Sequence, residues 1–429
     1  MPHTTSPRRE MLKLAGLAAL GSLALNRPVQ AQSRKFKIGY ITALSGVRAN
    51  FGEADLWTVE RVRAALKRDL ALAGGKLDIE IIVKDNQSDL NRSAAVGNEL
   101  LLRDKVDLML IQDADAAVAL GALCDLHGVP TISTMGPWQA WVFGRKSTPE
   151  QGFPYTFHFF WGAEDVYKNF VGMWNSVPTH KVAGTLYIDN YVGQAFADAR
   201  LGLPAALKSG GYKEIPGGLF KLQTDDFSNQ IAAFKSAQAD TVSGFAYPTH
   251  WSTFWNQAAQ AGYRPEICTM AAAFLFPSAV NALGARGDGM STEVWWTPAF
   301  PFKSSITGQS ARALADDWER STGKQWTQPL GYGHALWEVG LAALRAAADP
   351  KDPKSLRDAI ATLNTDTIVG PVRFKGSPIK NVAVTSLVGG QWRKSSAGSR
   401  FAYGLQVVYN GTAPSIAVDG TFKLLSQLG

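Results

Sequence analysis

The feature that most constrains this chain is a strand–loop–helix unit that recurs in two series. "KFKIGYIT" at 35–42 reads as a strand with an apolar centre, and the loop "ALSGVRANFG" leads from it to a helix. The apolar positions Leu56, Val59, Val62, Leu66 and Leu70 of that helix fall on one face. "DIEIIVKD" at 78–85 precedes a helical stretch at 94–102, "VDLMLI" at 106–111 precedes another at 116–127, and "VPTIS" follows at 129–133. After an irregular segment at about 155–165 the rhythm resumes. "KVAGTLYI" at 181–188 leads to a helix over 195–209, "GGLFKL" to one at 229–237, and "ADTVSGFAY" at 239–247 to one at 252–261. A helical pattern at 332–347 and a β-rich tail at 367–408, with turn signals at Gly376, Gly389, Gly390 and Gly411, complete the chain. Such alternation predicts an α/β fold of parallel sheets covered by helices on both faces. Two series in a chain of 429 residues predict two lobes.

Ligands of open parallel sheets sit beyond the carboxyl ends of the strands. The loops to inspect are therefore "ALSGVRANFG", "QDADAAV", "STMGPWQAW", "DNYVGQ", "YPTHWS" and "TMAAAF". None carries a phosphate-cradling glycine pattern. The six histidines, at 3, 127, 158, 180, 250 and 334, show no metal-ligand spacing, so neither a metal nor a cofactor is expected. No G-x-S-x-G elbow is present, and Cys124 lies in an apolar helical stretch that suits a small core residue. The acidic pairs Asp113 with Asp115 and Asp225 with Asp226 could serve as acid and base in a hydrolase. The preferred reading is capping, because Asp115 precedes "AAVALGAL" and Asp226 precedes "FSNQIAAF". The net charge of +7 is scattered and partly belongs to Arg8, Arg9, Lys13 and Arg27 near the start, which argues against nucleic acid as a partner.

That start is a leader. Arg8 and Arg9 precede an apolar run at 14–25, too short to span a membrane, and Val29-Gln30-Ala31 offers a cleavage site after Ala31. The order Arg8-Arg9-Glu10-Met11-Leu12-Lys13 fits a twin-arginine export signal, with an ordinary secretory leader as the alternative. Neither of the two cysteines, Cys124 and Cys268, stands where a lipid anchor would need it. A freely soluble periplasmic protein is expected. The cysteines fall in different lobes, where a bridge would lock a hinge, so both are predicted to be free thiols.

The order and spacing of these segments resemble the periplasmic solute-binding proteins of ABC importers, of the leucine/isoleucine/valine-binding type. The resemblance covers nearly the whole mature chain. It is carried by "KIGYITALSGVRANFGEADLWTVERVRAAL", "LIQDADAAVALGALCDLHGVPTIST", "TLYIDNYVGQAFADA", "FSNQIAAFKSAQADTVSGFAYPTHWSTFWNQAAQAGYRPE" and "LNTDTIVGPVRFK", the last being similar to a closing hinge segment of that family. It implies a type I periplasmic-binding fold: two doubly wound parallel-sheet lobes joined by a hinge of three crossovers. Lobe 1 is expected at 35–157 plus 294–370, and lobe 2 at 158–293 plus 371–429. It also implies a monomer that is not an enzyme and hands its ligand to the permease subunits of a membrane transporter.

Carried over position by position, the resemblance implies that Phe51 stacks on the ligand. Ala114 and Asp115, then Met135, Gly136 and Pro137, fall where that family holds a ligand carboxylate. In the second lobe it points to Tyr191 or Val192 and to Tyr247. The departures matter as much. The loop "TMAAAFLF" has Ala271 and its neighbours where amino-acid binders place an acid for the ligand ammonium, and Pro137 removes an N–H from the carboxylate cradle. The pocket gathers Phe51, Met135, Trp138, Tyr247, Trp251, Trp295 and Trp296 instead, with one of the last two assigned to hinge packing. The expected ligand is a small apolar or aromatic molecule, carboxylates and amides included, rather than an α-amino acid. The alternatives are a secreted hydrolase using Asp113 or Asp115 as base and a sensor that docks onto a membrane regulator.

Overall fold

Apart from one two-stranded hairpin, the strand-forming runs of the described residues assemble into two sheets whose first five strands follow the same order. The computed structural model describes Met1, residues 34–69 and residues 77–428. Apart from Met1, the leader lies outside the described residues, as does Leu70. The strands are β1 (Arg34–Thr42), β2 (Leu77–Asp85), β3 (Leu108–Ile111), β4 (Thr131–Ser133), β5 (Thr156–Phe159), β6 (Val182–Ile188), β7 (Lys213–Phe220) and β8 (Thr241–Phe245). They continue with β9 (Ile267–Ala271), β10 (Ser291–Val294), β11 (Asn364–Thr367), β12 (Gly370–Arg373), β13 (Val382–Ala383), β14 (Val388–Lys394) and β15 (Tyr403–Tyr409). The first sheet runs β13-β5-β4-β3-β1-β2 and the second β15-β14-β10-β9-β8-β6-β7. β1 pairs in parallel with β3 (Ile38 opposite Leu108) and β6 with β8 (Ala183 opposite Thr241), so strand order reverses at the same place in each sheet. Every residue of β3 and of β8 is buried, as expected of strands covered on both faces.

The helices follow from local chemistry. Asp113 caps the helix Ala114–His127 by accepting from the Ala116 N–H, and Gly128 ends it in the left-handed conformation. Pro248, unable to continue a central strand, stands first in the helix Pro248–Gln260. Several sequence expectations need correction. The irregular segment at 155–165 contains β5 and the start of the helix Ala163–Trp174. The helix expected over 195–209 is two, Tyr191–Ala197 and Leu203–Ser209, because the Asp198 carboxylate accepts from the N–H groups of Arg200 and Leu201 and forms a turn between them. Leu56 is 51% exposed, while Val59 and Val62 carry the buried face of the helix Asp55–Asp69.

The chain passes between sheets after Phe159, after Val294 and after Ala383. The last position corrects the expected boundary at 370. "LNTDTIVGPVRFK" folds back on itself as the hairpin β11–β12, and β13 then pairs in parallel with β5. The Asn381 side chain pins this return by donating to the carbonyls of Phe153 and Thr156. All three crossings meet one residue of the long helix Gln328–Ala346. Tyr332 packs edge-on against Phe160 and Trp295, and its hydroxyl lies 2.7 Å from the Thr385 hydroxyl.

Candidate functional site

The loops at the carboxyl ends of both sheets converge on a pocket of about 470 Å³, its mouth included. Its position is the one physics assigns: the reversal of strand order between β1 and β3, and between β6 and β8, leaves a crevice at the strand ends. From the first lobe come Arg48 and Phe51 after β1, Gln112 to Asp115 after β3, and Met135 and Pro137 after β4. From the second come Val192 after β6, Phe245 and Tyr247 at β8, Ala272 after β9 and Glu293 on β10. Trp161 and Trp295 enter from two of the crossings. Met135 and Ala272, each following the fourth strand of its series, both adopt left-handed backbone conformations, with φ of +65° and +64°. For non-glycine residues this costs on the order of 1–2 kcal/mol, and such strain concentrates at binding sites.

The polar part of the pocket is an ion network. The Arg48 Nε donates to Asp113 Oδ2 at 2.7 Å, and its Nη1 lies 3.3 Å from Asp115 Oδ2. Burial opposes the charge of Arg48, yet the attraction of Asp113 foremost keeps the guanidinium protonated. Burial, with Arg48 working against it, pushes the Asp115 carboxyl above the usual carboxylate range. The second lobe joins this network through Asn190, which donates to the Tyr247 hydroxyl at 2.9 Å and to Asp115 Oδ2 at 3.4 Å. The Gln112 amide donates to the Phe51 carbonyl at 2.7 Å and so fixes the first loop.

The apolar part is aromatic. Phe51 stacks against Trp295 at 6.0 Å between centroids and meets Tyr247 and Phe276 edge-on at 6.4 and 5.0 Å. These contacts join the first lobe to the second and to a crossing.

The structure brings eight of the expected residues together: Phe51, Ala114, Asp115, Met135, Pro137, Val192, Tyr247 and Trp295. Gly136, Trp138 and Tyr191 are not among them. The Gly136 carbonyl is turned away to accept from His158 Nε2 at 2.7 Å. The Trp138 indole donates to Glu164 at 3.0 Å, and Tyr191 faces an outer groove beside Phe143 and Gly144, leaving the pocket to Val192. Trp251 stacks on Phe254 and Trp255 inside the second lobe, while Trp296 packs against Trp326 and under Gly331, so it is the packing member of its pair. Asp115 is not a cap; that work falls to Asp113.

The loop after β9 nevertheless meets an acid. "TMAAAFLF" has none, but Glu293 reaches the same loop from the neighbouring strand. Its Oε1 accepts from the Ala272 N–H at 3.1 Å and its Oε2 from the Thr292 hydroxyl at 2.7 Å. Burial raises its carboxyl to about 7. Arg48, Gln112, Trp161, Phe245, Ala272 and Glu293 were not singled out by sequence reasoning as ligand contacts. Their common signal is position: each stands at, or a few residues past, the carboxyl end of a strand.

Two doubly wound lobes presenting strand-end loops to one shared pocket define a two-lobed binding protein. The chain belongs to the periplasmic binding protein family, whose model matches residues 35–397. Solved structures agree in fold. An ABC transporter substrate-binding protein from Sphaerobacter thermophilus superposes with a TM-score of 0.69 at 17% identity, covering 87% of this chain and 97% of that one. The branched-chain amino acid transporter substrate binding protein LivJ from Streptococcus pneumoniae, in complex with isoleucine, gives 0.67 at 18%, with 88% and 100% covered. A solute binding protein of an ABC transporter from Rhodopseudomonas palustris BisB5, in complex with 3,4-dihydroxy benzoic acid, gives 0.66 at 19%, with 86% and 95% covered.

Proposed function

We propose that this protein is an extracytoplasmic receptor that closes its lobes on a small apolar or aromatic solute and delivers it to the membrane permease of an ABC importer. The observation that carries the reading is the aromatic wall of Phe51, Trp161, Phe245, Tyr247 and Trp295, drawn from both lobes and two crossings into one pocket. A ligand touching both lobes favours the closed state by its differential affinity, which is how binding becomes a signal for docking. The ligands of the related structures, isoleucine in one and 3,4-dihydroxy benzoic acid in another, are of the same small size. Export through the leader, of twin-arginine type, and a monomeric state complete the proposal.

The hydrolase reading fits less well, because Asp113 and Asp115 are both engaged with Arg48 and Asp113 also caps a helix. Thermal-shift screening of the purified chain tests the proposal. Stabilisation by aromatic or apolar solutes, recovered unchanged afterwards, is the expected result. Stabilisation by branched-chain amino acids and not by aromatic solutes would overturn the ligand assignment, and conversion of a solute would overturn the receptor itself.

A further inference from the structure

The hydrogen-bonding capacity left over in the pocket narrows the ligand to one functional group; this step rests on the receptor reading above. Among the described residues lining the pocket, Arg48 is the one cation, and it is already held by Asp113 at 2.7 Å and Asp115 at 3.3 Å. Asp113 Oδ1 accepts from the Ala116 N–H at 2.9 Å, and both oxygens of Glu293 accept from the Ala272 N–H and the Thr292 hydroxyl. Two buried polar atoms of lining residues have no partner, the acceptor Asp115 Oδ1 and the indole N–H of Trp161, while the indole N–H of Trp295 makes no hydrogen bond but faces the Glu293 carboxyl. Leaving such groups unmet is costly, and although buried indoles away from the pocket, such as Trp251 and Trp337, are unmet too, those of the lining residues are the ones a ligand can reach.

Three polar ends can be compared on one apolar body. A carboxylate would accept from the indoles but would set a second anion beside Asp115 with no free cation to compensate it. An ammonium would satisfy Asp115 and leave both indole donors unmet. A carboxamide supplies N–H to the one and a carbonyl oxygen to the other, and carries no charge into a buried site. We infer that the pocket is built for a neutral carboxamide on a small apolar or aromatic body. Its N–H donates to Asp115 Oδ1, its carbonyl accepts from the Trp161 or Trp295 indole, and the matching carboxylate is rejected.

Titration calorimetry of the purified chain with benzamide, benzoate and benzylamine tests this on a constant ring. Benzamide is expected to bind more tightly than benzoate by about tenfold or more. Asp115→Asn, which turns a donor toward the ligand N–H, should weaken benzamide by about tenfold and strengthen benzoate. Trp161→Phe and Trp295→Phe remove the indole donors without emptying the wall, and at least one should weaken benzamide by a few-fold; this arm stands if Asp115→Asn fails to fold. Benzoate binding as tightly as benzamide, or an amide preference indifferent to all three substitutions, overturns the inference and leaves the receptor standing. Benzylamine binding most tightly overturns it in favour of a cation site. If none of the three binds, the carboxamide assignment falls, while the receptor reading is decided separately by the wider thermal-shift screen.

Discussion

The two lobes share one topology and divide the chemistry of the pocket between them. The first lobe contributes nearly all of its charge, in Arg48, Asp113 and Asp115. The second contributes Val192, Phe245 and Tyr247, with Glu293 as its single acid. The same reversal of strand order creates the crevice in both sheets, but what fills it is set by a few loop residues. Architecture locates a site, and the side chains at the strand ends decide what it accepts.

The largest expected effect tests the charged half. Arg48→Leu leaves Asp113 and Asp115 buried without their cation and should destabilise the chain by about 3–5 kcal/mol, read by denaturant unfolding. If stability is unchanged, the network is not what organises the first lobe.

The acid of the second lobe makes a pH-dependent contrast. Because burial raises Glu293 from 4.5 to about 7, the folded chain holds a proton that the unfolded chain releases. Its contribution is fully present at low pH and drains as pH rises from about 4.5 through about 7. Glu293→Gln cannot titrate, so its stability relative to the parent should improve by on the order of 1–3 kcal/mol between pH 5 and pH 8 in paired melts. A difference that stays flat over that range would remove Glu293 from the titrating groups.

Smaller still is the effect of the Tyr247 hydroxyl. Tyr247→Phe loses the hydrogen bond from Asn190 and should cost about 0.5–1.5 kcal/mol of ligand affinity, and Tyr247→Ala more, since the ring contact with Phe51 goes as well. Undiminished affinity in the Ala variant would assign binding to the first lobe alone. The least disruptive test is thiol counting. Cys124 lies in the helix Ala114–His127 and Cys268 in β9, both buried and free, with burial pushing Cys124 up to about 11. Two thiols should react in denaturant without reductant, and almost none in the native chain.

Sequence reasoning read the fold well where strands were long apolar runs, as at β1, β6 and β8. It missed β5 and β10, four residues each, in which Thr156, His158, Ser291, Thr292 and Glu293 sit buried among backbone partners and break the apolar pattern. In the site, it found residues that end a strand and passed over those defined by a partner elsewhere in the chain. Arg48 has meaning only beside Asp113, 65 positions away. Tyr191 fails where Val192 succeeds because adjacent residues of a helix point about 100° apart, a distinction that spacing in a loop cannot make.

The placement of Trp161 and Trp295 has a practical consequence. Among thirteen tryptophans, these two line the pocket. Their emission is expected to respond most to an arriving solute, against the background of Trp141, Trp174, Trp251, Trp337 and Trp392, which are sealed in the interior. The receptor therefore carries its own optical reporter, positioned to give occupancy in real time without a label.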